Sequence, residues 1–162
     1  MKMIKTALAA LTALAFVGAA SAQTTIRITG STAFRAATIT AIGNILNSGY
    51  TYGYVGSSVT GANQATFVGT TKTGSLPVII KCSWAGSVGG VQTIAQQSPV
   101  VTTTLPYISE TSPLTATGAV LTSSTATFDA PANADIAMSD TFQSSTAYYG
   151  TGYTTLTDTV VG

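Results

Sequence analysis

Histidine is absent from the chain, and with it the usual general base at neutral pH and the commonest metal ligand. Cysteine occurs once, at Cys82, so the chain holds no disulfide partner for it and no cysteine-based zinc site. Charge is scarce too. Beyond residue 22 the cations are Arg27, Arg35, Lys72 and Lys81, too few and too scattered to neutralise a run of nucleic-acid phosphates. Hydrolytic triads, zinc chemistry and a basic nucleic-acid face are thereby excluded. The expectation is a protein with no catalytic residue, no metal and no cofactor, which is to say a binder rather than an enzyme.

Long apolar runs are lacking after the first 22 residues. Lys2 and Lys5 form a short positive region, and Thr6 to Val17 is apolar but too short to anchor in a bilayer. Ala20-Ser21-Ala22 then supplies the small-x-small pattern of a processing site. Residues 1–22 therefore read as a signal peptide, and the chain is expected to be exported to the periplasm, the cell surface or the medium. Residues 23–162 suffice for one modest domain.

What is present is an alternation of strand, turn and helix. Thr25 to Thr29 alternates and is β-branched, predicting a strand. From Ala33 to Asn47 the apolar residues recur at three- and four-residue spacings, predicting a helix closed by Asn47-Ser48-Gly49. Tyr50 to Val55 and Gln64 to Val68 read as short strands, Val78 to Cys82 as a buried one. A second helical pattern follows around Val91, Ile94 and Ala95. Two Ser/Thr/Gly-rich insertions, 49–75 and 98–133, interrupt this order. Alternation in Val100 to Leu105 and in Ala119 to Phe128 predicts a hairpin with an irregular middle, a disordered linker being the alternative, and Asp135 to Met138 reads as a last strand. Such an order implies crossover connections and a largely parallel sheet in an α/β domain.

Two turns share one design. Gly30-Ser31-Thr32-Ala33-Phe34 and Gly86-Ser87-Val88-Gly89-Gly90 each follow a strand and open a helix. The first amides of a helix lack internal partners and carry partial positive charge. In a parallel sheet both turns lie at the carboxyl edge, where a small tetrahedral anion can be held without a lysine cluster. Neither helix start carries an acid, and the first carries Arg35, which an anion would offset. Ordinary N-capping by Ser31, Thr32 and Ser87 is the competing reading. Asp140, at the end of the last strand, would accept a hydrogen bond from a protonated oxygen. It would so admit hydrogen phosphate and leave sulfate unmatched.

These windows resemble the phosphate-binding proteins of ABC-type phosphate transporters. Gly30-Ser31-Thr32-Ala33-Phe34 is similar to that family's first turn, Trp84 to Val91 to its second, and Ala134-Asp135-Ile136-Ala137-Met138-Ser139-Asp140 to its third motif. The resemblance implies a periplasmic-binding-protein-like (type II) lobe with a mainly parallel sheet and β-rich insertions. It implies that Ala33, Phe34 and Gly89 line the phosphate site through the backbone, Thr32, Ser31 and Ser87 through hydroxyls, and Asp140 through its carboxylate. Arg35 stands where the family usually has proline and is a further candidate contact. No counterpart of the family's second-lobe arginine and Ser-Gly-Thr turn is found, so residues 23–162 are expected to be a first lobe, incomplete at its C-terminal end. The implied partners are inorganic phosphate or a similar oxyanion and an ABC permease. A secreted surface or structural protein of related fold that has lost ligand binding is the alternative. Trp84 reads as a packing residue beside the second turn, Cys82 as a buried small hydrophobe, and Tyr50, Tyr52, Tyr54, Tyr148, Tyr149 and Tyr153 as packing or a sugar-stacking surface.

Overall fold

The computed structural model describes residues 22–96 and 105–157. Residues 1–21 of the expected signal peptide, the expected strand residues Val100–Thr104 and the last five residues lie outside the described residues. The elements run β1 (Thr24–Gly30), α1 (Arg35–Ile45), β2 (Thr51–Val55), β3 (Gln64–Thr70), β4 (Pro77–Ser83), α2 (Gly86–Ala95), β5 (Ala119–Leu121) and β6 (Ile136–Met138). They form one α/β unit whose six strands lie in the order β5-β2-β3-β4-β1-β6. β1 is parallel to both β4 and β6, β2 is parallel to β5, and β3 alone runs the other way.

Side-chain alternation sorts the sheet into two covered faces. Ile28, Ala65, Phe67, Val78, Ile80 and Cys82 point to the face on which α1 buries Ile39 and Ile42. Each apolar pair in register, such as Ala65 with Cys82 and Phe67 with Ile80, adds to one continuous core. β4 is buried from Val78 to Ser83 because it is covered on both sides. The second face carries Arg27, Thr29, Thr66, Ile79 and Lys81. There α2 packs on β1 and β6, and Tyr107 and Ile108, both 0% exposed, come from the second insertion.

The glycines decide how closely α2 approaches. A Cβ on Gly90 would stand 3.0 Å from the Gly30 Cα and 3.1 Å from the Ala137 methyl. Gly30 itself has φ 123°, and a Cβ there would meet the Met138 carbonyl oxygen at 1.9 Å. Only glycine fits at that position.

The insertions differ in kind. Residues 49–75 form the antiparallel pair β2–β3, which extends the sheet beyond β4. In the second insertion the expected hairpin is rearranged. Ala119–Leu121 adds to β2 as a parallel strand, while Leu105 bridges Ala132 and Ile108 bridges Phe128. The Thr/Ser alternation lacks a strongly apolar face to fix its register, so tertiary pairing decides it. The first helix also begins two residues later than its periodicity suggests, because Ser31 to Phe34 make a tight turn first. The second begins earlier, the glycine-rich turn being its own first turn.

Candidate functional site

β1, β4 and β6 are parallel neighbours, so the turns that follow them meet at one sheet edge. The connection from β1 leaves for α1 on one face. That from β4 leaves for α2 on the other. Between two strands whose connections part in this way a crevice opens, the usual ligand position of open α/β sheets. The Ser31 amide donates to the Met138 carbonyl at 2.7 Å, tying the first turn to the end of β6.

Asp140 stands at the centre. It accepts from the Ser31 hydroxyl at 3.4 Å, from the Ser87 hydroxyl in a short contact, and from Thr141 Oγ1 at 3.5 Å. The Ser87 hydroxyl foremost, with help from Ser31 and Thr141, holds this exposed carboxyl below the usual aspartate value. Asp140 is thus charged at neutral pH, an acceptor facing two hydroxyls that can turn outward as donors. Residues 56 and 109 positions apart in the chain are brought into one polar centre: Ser31, Ser87 and Asp140.

The backbone donors are distributed differently from the side chains. Ala33 N–H donates to Ser31 Oγ at 3.3 Å, and Phe34 N–H to the Ser31 carbonyl at 3.2 Å. Both amides are engaged inside the turn, and an anion would have to replace those bonds to use them. α1 begins at Arg35 with neither an acid in its first turn nor a side-chain cap, so orphan amides extend to Ala36 and Ala37. α2 begins at Gly86 (φ 81°) and is likewise uncapped. Its orphan amides belong to Gly86, Ser87 and Val88; Gly89 is the fourth helical residue, past them. Thr32, Ala33 and Phe34 are exposed on the rim.

Arg35 turns away from the centre. Its Nη1 donates to Asn63 Oδ1 at 3.1 Å, on the tip between β2 and β3. Trp84 is half-buried against the α1-side core, and its amide donates to the Asn63 carbonyl at 3.1 Å. Packing accounts for it, as for the Tyr52 and Phe67 rings, which stack, and the Tyr50 ring tilted against both. Cys82 is fully buried, and desolvation pushes its thiol up to about 12.

Sequence reasoning missed three contributors. Ser139 and Thr141 lock the turn around Asp140, Ser139 Oγ accepting from the Thr141 amide at 3.0 Å and donating to its carbonyl at 2.7 Å. A Ser-Asp-Thr string is the ordinary signal for such a turn. Asn63 was hidden in an insertion with no legible period. Among the described residues no cluster of three Cys, Asp or Glu side chains offers a metal cage, and no helix is long and apolar enough to cross a membrane. No family model matches the chain, and no curated protein or solved structure is significantly similar to it.

Proposed function

We propose that this chain is an exported solute-binding protein that takes phosphate or a similar small oxyanion without altering it, as the receptor for an ABC-type uptake system. One observation carries the reading: the Ser31 and Ser87 hydroxyls meet Asp140 at the carboxyl edge of three parallel strands, beside two uncapped helix starts. The arrangement offers hydroxyl and amide donors to the oxygens of an anion, and one carboxylate to a ligand proton. Its chemistry favours hydrogen phosphate over sulfate, since sulfate brings no proton and would leave Asp140 facing a second negative charge.

A second reading is favoured by the satisfied state of the turn. The Ala33 and Phe34 amides and both serine hydroxyls already have partners inside the protein, which is what a related fold that had lost its ligand would retain. Calorimetric titration separates the two. A binding protein gives saturable heat with phosphate and none with sulfate, and Asp140→Asn narrows that difference. No heat at millimolar phosphate would reject the receptor reading and leave the surface-protein one.

A further inference from the structure

The proposed phosphate site makes no use of the most deeply buried charge among the described residues. Lys81 lies in the middle of β4 and is 2% exposed. On its face of the sheet it is in register with Arg27 of β1 and Thr66 of β3. Tyr107 and Ile108 close over it, and Thr66 Oγ1 fastens that cover by donating to the Ile108 carbonyl at 2.7 Å. Two carboxylates from the same insertion touch Nζ: Glu110 at 2.5 Å, and Asp129 in direct contact. The side chain of Asp129 is 21% exposed and that of Glu110 40%. Asp129 is therefore the inner partner and Glu110 the one open to solvent.

From this geometry we infer that Lys81 and Asp129 join in an intramolecular amide, an isopeptide bond, with Glu110 as the proton carrier. Proton transfer from the Lys81 ammonium to Glu110 gives a neutral amine. Nζ then forms a bond to the Asp129 Cγ; Glu110 passes its proton, and then a second one taken from Nζ, to one Asp129 oxygen, and the Cγ–O bond breaks as that oxygen leaves as water. Ammonium and carboxylate become amide and one water, so no oxidant or other reactant is required.

Two features favour the step. Fixed contact replaces an encounter between free groups. The covered face also keeps bulk water from reversing the bond. At rest the Lys81 hydrogen bond holds the Glu110 carboxyl below its usual value, so the ion-paired form precedes the reactive one. Tyr107 and Asp135 are the remaining ionisable groups near Arg27 on this face. The product would tie residues 48 positions apart, stapling the second insertion to the central strand. A disulfide would do the same, but the chain has one cysteine.

Intact-mass measurement on the purified, denatured full-length chain reads the bond directly. The expected mass is one water below that of the unmodified sequence. Trypsin should then fail to cut after Lys81, leaving residues 73–162, which hold no other Lys or Arg, as one internally looped peptide; a further cut with chymotrypsin should give a branched peptide linking the segments bearing Lys81 and Asp129. Lys81→Arg and Glu110→Gln should each restore the unmodified mass. An unmodified mass in the wild-type protein overturns the proposal, whatever the variants do. A branch through Glu110 instead of Asp129 overturns the roles assigned to the two carboxylates.

Discussion

At the scale of single residues, Asp140 is the pivot. Hydroxyl donation from Ser87 and Ser31 stabilises its charged form, so its folded-state value lies below that of the unfolded chain. A depressed carboxyl contributes stability at pH above the unfolded value near 3.8, and that contribution disappears as pH falls through the lower folded value. Titration of the Asp140 carboxyl carbon by NMR should show this low value, and Ser87→Ala should return it most of the way. The same substitution should weaken phosphate binding roughly tenfold, the loss of one hydrogen bond to a charged ligand. Equal affinities in wild type and variant would remove Ser87 from the site. Cys82, fully buried with its thiol pushed up to about 12, should resist alkylation in the native protein and react at once in denaturant.

At the scale of elements, two glycines hold the site in shape. Gly30→Ala places a methyl into the Met138 carbonyl and demands a left-handed backbone from alanine, so urea unfolding should show a loss of about 3 kcal/mol. Gly90→Ala is the more telling case. Helix propensity alone would make it stabilising by about 1 kcal/mol, yet the added methyl pushes α2 off β1 and β6. A net loss of about 1–3 kcal/mol is expected. The strands and helices that carry the site were legible because their apolar residues repeat with the right period: Ile28 in β1, Ile39 and Ile42 in α1, Val78 to Cys82 in β4. Ser31, Ser87 and Asp140 were legible as turn residues at strand ends. Where the periodic signal fades, so did foresight. Ala119–Leu121 pairs with β2 instead of with its sequence neighbours, and Arg35 answers to Asn63, a residue 28 positions on whose place is set only by the β2–β3 turn.

For the whole molecule, the second insertion is part of the core. Tyr107 and Ile108 are wholly buried, and Glu110 and Asp129 are the only carboxylates in ion pairs among the described residues. A lone lysine inside the apolar run of β4 was visible in the sequence, but its partners lie 29 and 48 positions away, beyond the reach of any local pattern. Lys81→Ala should cost about 3–5 kcal/mol in urea unfolding, since it removes the tie to Asp129 and leaves that inner carboxylate against a covered face with no partner. A loss below about 1 kcal/mol would mean that the insertion folds independently of β4.

Amide chemical-shift mapping during a phosphate titration tests the receptor claim at its root, because it reports where an anion goes as well as whether it binds. The account predicts saturable shifts concentrated at Ser31 to Ala37, Gly86 to Val88 and Ser139 to Thr141, with Gly49 to Thr71 little changed. Shifts that fail to saturate, or that gather away from the carboxyl edge of β1, β4 and β6, would contradict it.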